Sequence, residues 1–573
     1  MKKTLRIVFI LGVLLFSLIN SACHVMPAVV SLEQKSFDLQ QLFPSAKNPS
    51  VHFNASIIAS PLAYTSNGQA QIIVPVSEGT IAVLDSATGA LLWQLALPRD
   101  ANQDVQLIAT PVLIDKKLVV VYQCVQKGVR VSHHLVVLDM LTKQLDPAFP
   151  RLTFAANLSH KEGGSIAFLP SHAYSHAALR YLPSNKQAYG MVYVAFGNAS
   201  DNQPFHGWLF TVDINAWLKQ GAEHALADVF VTTPEVNCPA KMEYGTQEMV
   251  CGGGIWTPAG ILLSQDDSGT ELLVPTGNGQ VDLARHDYAN ALLRIRPGHP
   301  FEDGCDKQLC AAFNPLQPDL ACLRSCKNLF IPRLARQDAP LKPPNHECDD
   351  KNFWECLAWM DYDLGSSSPI KVKLTNELTV LLQPGKEGAV YLLDAKHLGV
   401  QYDRLQVAEL CGSPTDLCRL SWAGMMVTQP VLAWINNEPV IMVTSFSADN
   451  THIAGVVALK IVLENKHPKL AVFWRFPSAD TPAPLTMFRS HPSLPALTGA
   501  GQNAVVWVVD IGTPGILYGL RVHDGKMLVK QPLQGSGRQL ATPLFINDKV
   551  YVASMQSGTG KAILEGFQIN QMP

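Results

Sequence analysis

The sequence predicts an all-β chain, an eight-bladed β-propeller of four-stranded antiparallel blades carrying one Cys-rich insert. Three observations predict it. The first is composition: of 573 residues, 16% are charged, and Gly and Pro number 39 each. Charged residues are well below the ~25% of an average protein, which suits many strands joined by many turns. The second is recurrence. A Pro followed by apolar residues opens a unit at Pro61, Pro111, Pro258, Pro369, Pro430, Pro495 and Pro543. An eighth unit, near 177–179, opens without one. Pro as the first residue of a strand removes no ladder hydrogen bond. Repeats of about 40–50 residues mean a propeller or a solenoid. The third is turn chemistry, with Gly, Asp and Asn closing short apolar runs throughout.

Unit one sets the pattern: strands at 58–62, 72–76 and 80–84, then Asp85, Thr88 and Gly89 turning into Leu91, Leu92 and Trp93. Asp85 can accept backbone N–H groups in that turn, and Gly89 supplies the positive φ of a tight hairpin. Trp93 is placed to cover the seam to a neighbouring sheet. The order recurs at 109–143, 177–213, 257–295, 367–394, 428–459, 493–525 and 541–569.

The two ends and one interior stretch depart from the repeat. Lys2, Lys3 and Arg6 precede an apolar run from Ile7 to Ile19, then Asn20-Ser21-Ala22-Cys23. This layout predicts a signal peptide over 1–22. It resembles a bacterial lipoprotein signal, which implies lipidation at Cys23 and, with His24 following, an outer-membrane location facing periplasm or cell surface. Residues 23–50 read as a polar tether and 51–573 as the propeller. Residues 299–360, with six Cys, read as a disulfide-rich insert capping one face.

Eleven Cys remain after Cys23, an odd number, so at least one is unpaired; Cys124, alone in a strand-like run, is the choice. Cys238 with Cys251 and Cys411 with Cys418 are close enough for local disulfides. The six from Cys305 to Cys356 allow 15 connectivities. Zinc would need paired Cys-x-x-Cys or His spacing, which is lacking. The net charge of −3 and the absence of a basic cluster in the sequence argue against nucleic acid.

The segment 83–93, Val-Leu-Asp-Ser-Ala-Thr-Gly-Ala-Leu-Leu-Trp, resembles the repeat of pyrroloquinoline-quinone-like propellers, the quinoprotein alcohol dehydrogenase-like superfamily. A secreted bacterial subgroup is resembled through Phe196-Gly197-Asn198, Phe205-His206-Gly207-Trp208, Gly252-Gly253-Gly254-Ile255-Trp256, Thr276-Gly277-Asn278-Gly279 and Gly385-Lys386-Glu387-Gly388. The likeness covers most of 55–570 outside the insert. It implies a quinone cofactor with Ca²⁺ in the active members. The chain departs from those members in having no adjacent Cys pair and no Cys-x-x-Cys-His haem motif.

Residues just ahead of each unit gather at one mouth of the channel. They include His172, His176, Trp256, Asp361, Asp363, Trp422, Gln429, Arg489, His491 and Arg538. Arg489, His491, Arg538 and the hairpin Lys386 could hold carboxylates, and Trp256 could stack on a planar ligand. Asp361 and Asp363 could bind a hard cation such as Ca²⁺. The plainer readings are a turn for Asp361-x-Asp363, a blade wall for Trp256, and carbonyl partners for the cations. Two functions follow. One is an envelope lipoprotein acting as a protein-binding or scaffolding module; the lipoprotein of the outer-membrane barrel-assembly machine has similar repeats. The alternative is a pyrroloquinoline-quinone-dependent dehydrogenase of alcohols or sugars with an atypical cofactor site.

Overall fold

The computed structural model describes residues 37–49, 51–159, 164–198, 204–234, 251–266, 269–279, 281–314, 318–334, 353–359, 361–408, 426–445, 455–478, 488, 492–537, 540–556 and 558–571. Eight antiparallel blade sheets follow one another along the chain, with two small two-stranded hairpins at 157–167 and 281–288 between strands of the ring. Blades 1 to 7 span residues 62–96, 104–153, 180–231, 262–330, 370–406, 431–476 and 496–532. Blade 8 takes 536–571 and adds the N-terminal strand Phe37–Phe43 at its outer edge. In blades 2 and 8 the inner position is split, so that two short strands pair with the same second strand.

Strand periodicity explains why the sequence reads as apolar runs rather than as alternation. Successive side chains point to opposite faces of a strand. Each blade face here meets another blade, so both faces are buried. In Gln69–Val76, Ile72 and Val74 pack toward blade 8, and Ile73 packs toward blade 2. Eight hydrophobic clusters result, one at each seam, and they close the ring. Trp93 is half-buried in the seam between blades 1 and 2, as expected.

The turn in the repeat forms as its residues dictate. Asp85 accepts from the Ala87 and Thr88 amides at 3.0 and 2.8 Å, and Gly89 takes a φ of 70°. Gly89 is also where the neighbouring blade docks: a Cβ there would lie 2.5 Å from Phe43 Cγ. Gly525 does the same for blade 6, whose Trp474 covers it and donates from Nε1 to the Val522 carbonyl at 2.8 Å.

Two differences from expectation concern the odd stretches. The tether expected over 23–50 is in part structural, because residues 37–43 pair with 566–571 and complete blade 8. The insert expected over 299–360 is in part blade, because Leu329–Phe330 pairs with Leu292 and Leu293 as the outer strand of blade 4. Around that strand the insert is stapled by Cys305–Cys326 and Cys310–Cys322. Its backbone carbonyls at Leu323 and Cys326 lie against Gly399, in the turn of blade 5. Cys124 is a buried free thiol, and Cys251 is disulfide-bonded. Cys23, Cys238, Cys411 and Cys418 lie outside the described residues. No described helix is long and apolar enough to cross a membrane.

Candidate functional site at the inner end of blades 4 and 5

Trp256 sits in an extended stretch ahead of blade 4 that is laced to its neighbours on both sides. Ile255 N donates to the Phe196 carbonyl of blade 3, and Gly277 N donates to the Gly254 carbonyl. His176 Nδ1 donates to the Trp256 carbonyl at 2.9 Å, and the two rings meet edge to face. Burial lowers the His176 imidazole, and its bond to the Trp256 carbonyl opposes that shift. Gly277 lies against the indole edge: a Cβ there would be 3.2 Å from Trp256 Cδ1 and 2.8 Å from the Gly254 carbonyl. The backbone thus leaves no room for a side chain at 277.

Asp361 reaches the site because of how the insert ends. The helix Phe353–Trp359 closes with Tyr362 N donating to Leu357 O at 2.8 Å, and Asp361 takes a φ of 55°. That is the six-to-one bond and left-handed residue of a Schellman cap, a position where Gly is usual. Asp tolerates the left-handed region better than most residues, at some cost relative to Gly. Asp363 follows, pinned from two blades. Lys386 N donates to the Asp363 carbonyl at 3.1 Å, and Leu364 N donates to Asn290 Oδ1 at 3.2 Å.

Lys386 brings these groups together. Its Nζ lies 2.6 Å from Asp361 Oδ2 and 3.4 Å from Asp363 Oδ2. The same ammonium lies over the Trp256 ring, 5.3 Å from its centroid, in cation–π range. Lys386, Asp361 and Asp363 are buried, and Trp256 is half-buried. Four residues predicted from sequence therefore form one cluster. Arg489, His491, Arg538 and Trp422 lie outside the described residues. Of the remaining expected residues, His176 belongs to the cluster through Trp256. His172 ends a 3-10 turn, its carbonyl held by the Asn198 amide, and the Gln429 carbonyl accepts from the Thr428 hydroxyl, away from the cluster.

Behind Lys386 stands a second layer that the sequence reading missed. Glu387 is fully buried, accepts from the Tyr391 hydroxyl and lies 3.9 Å from Arg404. Burial pushes the Glu387 carboxyl up, while Arg404 and the Tyr391 hydroxyl hold part of that shift back. Arg404 also lies over the Phe353 ring of the insert helix, at 5.8 Å. Tyr391 and Arg404 are cross-strand partners in blade 5, a pairing that linear spacing does not reveal. Asn278 was also missed as a site residue. It follows Gly277, and its Nδ2 is buried with no hydrogen-bond partner among the described residues.

The donor set suits a flat anionic ligand with a hard cation. An indole face, an ammonium, two carboxylates and an unsatisfied amide N–H lie close along the chain or in space. Buried charge of this kind is expensive, and a hydrophobic replacement is often as stable or more so. Desolvated charges gathered in this way are functional-site candidates.

No family model matches the chain, and no curated protein matches it. Solved structures similar to it include a europium-containing methanol dehydrogenase, 11% identical with a TM-score of 0.47, covering 92% of this chain and 93% of that one. A quinohemoprotein alcohol dehydrogenase from Pseudomonas putida is 11% identical with a TM-score of 0.46, covering 91% and 76%. BamB from Moraxella catarrhalis is 13% identical with a TM-score of 0.42, covering 93% and 100%.

Proposed function

We propose that this chain is an exported, lipid-anchored propeller that binds a planar carboxylated quinone together with Ca²⁺ and works as a quinone-dependent oxidoreductase. The observation that carries the proposal is the convergence of Trp256, Lys386, Asp361 and Asp363 on one buried cluster. Trp256 would present the flat face, Lys386 would hold a carboxylate or quinone oxygen, and Asp361 and Asp363 would hold the cation through oxygen. A bound quinone supplies two-electron acceptance from an alcohol or sugar carbon. The chain's own part is to orient the substrate against the cluster, keep water out and offer a carboxylate for the hydroxyl proton. Export and the anchor at Cys23 rest on the N-terminal sequence.

The test mixes purified protein with pyrroloquinoline quinone and Ca²⁺. Binding is followed by calorimetry, and dye reduction is assayed with alcohols and sugars. Binding should weaken by about tenfold or more in Lys386→Gln and Asp363→Asn, as loss of a charged hydrogen bond implies. No heat of binding and no dye reduction would overturn the enzymatic reading.

One observation favours a second reading, a protein-binding or scaffolding module of the envelope. The long outer hairpin of blade 6 carries exposed Val462, Leu463, Val472 and Phe473. Photo-crosslinkers at 463 and 473 in cells would trap a partner if this hairpin docks one. A crosslink-free result would remove that reading.

A further inference from the structure

We propose that the outer mouth of the seam between blades 4 and 5 binds a compact, multiply charged anion of the phosphate type. The argument starts from strand parity. In blade 4, Leu292 packs toward blade 5 while Leu293 and Ile295 pack toward blade 3. Arg294 and Arg296 therefore share the face turned to blade 5. In blade 5, Ile370 and Val372 pack toward blade 6, so Lys371 and Lys373 share the face turned to blade 4. An Arg-x-Arg and a Lys-x-Lys thus confront each other across one seam.

The inner pair is neutralised and forms the floor. Glu271 is ion-paired with Arg294, Oε2 to Nε 2.9 Å, and accepts from Lys371 Nζ at 2.8 Å. Arg294 also donates to the carbonyls of Lys327, Lys396 and Ala395, so its side chain is fixed. The outer pair, Arg296 and Lys373, is exposed and makes no ion pair among the described residues. Two more exposed cations join it: Lys327 from the stapled insert and Lys396 from the turn of blade 5. Neither of them makes an ion pair among the described residues.

Two cavities of about 440 and 720 Å³ open here, and both are lined by Arg294, Arg296 and Lys396. Their other carboxylate besides Glu271 is Glu302. Four cations without an ion pair among the described residues, drawn from four places along the chain around this mouth, are out of character for a chain of net charge −3. A concave mouth lined by cations of one sign focuses the field on small counter-ions. Ammonium point charges with one Arg fork suit tetrahedral oxygens that accept from several directions. The ligand is thus a phosphate group, carried either by a small soluble molecule or by a lipid headgroup. This site is independent of the cluster around Lys386.

The test uses the full chain with two probes in low-salt buffer. Sodium pyrophosphate is titrated by calorimetry, and flotation is run with phosphatidylcholine vesicles with and without phosphatidylglycerol. Pyrophosphate binding supports a soluble ligand; flotation only with phosphatidylglycerol supports a headgroup. In either case Lys373→Gln with Lys396→Gln should weaken binding by about tenfold, whereas Lys143→Gln with Lys530→Gln, both exposed on other blades, should not. Binding should also fall as salt screens the charges. The proposal is overturned if neither probe binds, or if the two double variants lose affinity equally.

Discussion

At the residue scale, Lys386 is the group on which its neighbours depend. It neutralises Asp361 and sits beside Asp363 in a place that water barely reaches. Removing one member of a buried charge cluster leaves the rest uncompensated, a loss of about 3–5 kcal/mol, whereas removing all members together is often nearly neutral. Lys386→Met should therefore lower the urea midpoint strongly. Lys386→Met combined with Asp361→Asn and Asp363→Asn should recover most of the loss. Quinone binding should stay abolished in the recovered triple variant, which separates a ligand role from a purely structural one. A single variant as stable as the parent would show that the three charges are not coupled. Glu387 extends the same logic one step back. It is matched by Tyr391 and Arg404, so the hairpin turn that carries the lysine is held by a second buried network.

At the element scale, the insert does the work that an aromatic residue does elsewhere. Trp474 covers Gly525 between blades 6 and 7, and Phe43 covers Gly89 between blades 8 and 1. Between blades 4 and 5, stapled backbone covers Gly399, and Arg333 donates to the Gly399 carbonyl. The Cys310–Cys322 bridge closes a separation of 12 residues. A loop of that size is worth about 3 kcal/mol in the chain-entropy account. Cys310→Ala with Cys322→Ala should leave the propeller folded but open the insert to limited proteolysis. Unchanged protease resistance would mean that docking alone holds the segment. The blades were legible in the sequence because a Pro, an apolar run and an Asp- or Gly-bearing turn recur in register. The insert's blade strand was not, since Leu329–Phe330 is two residues long and takes its identity from pairing with 292–293. Of the site, Trp256, Asp361, Asp363 and Lys386 were legible from their place ahead of, or in the hairpin of, each unit. Arg404 was not, because only the cross-strand register brings it behind Glu387.

At the scale of the whole molecule, a ring of blades has one place where the chain must meet itself, and here it is the pairing of 37–43 with 566–571. The sequence Phe-Asp-Leu-Gln-Gln-Leu-Phe alternates only weakly and on its own reads as tether, because its partner strand lies at the far end of the chain. Closing so long a loop is less costly than it looks: relative to a hairpin of about ten residues, a loop of about 500 adds only 3–4 kcal/mol of entropy. Against that stand Phe43, buried between Gly89, Gly566 and the Tyr551 ring, and Phe37 and Leu39 in the seam with blade 7. Fully burying an apolar side chain of this size contributes about 1.5–3 kcal/mol, and Phe37 and Leu39 are only half-buried, so the three together supply roughly 3–6 kcal/mol, enough to offset the closure entropy. Tyr551 adds a hydrogen bond from blade 8 to the Ser86 carbonyl of blade 1, at 2.7 Å. Deleting residues 37–43 should expose the edge of blade 8 and weaken two seams at once, lowering the melting temperature and promoting association through the bare strand edge. Phe43→Ala should cost about 3–5 kcal/mol while leaving the edge paired, so it should destabilise without causing association. Calorimetry and size-exclusion chromatography on the two variants separate these outcomes. A deletion variant that melts with the parent and stays monomeric would mean that the six other seams hold the ring without its closing strand.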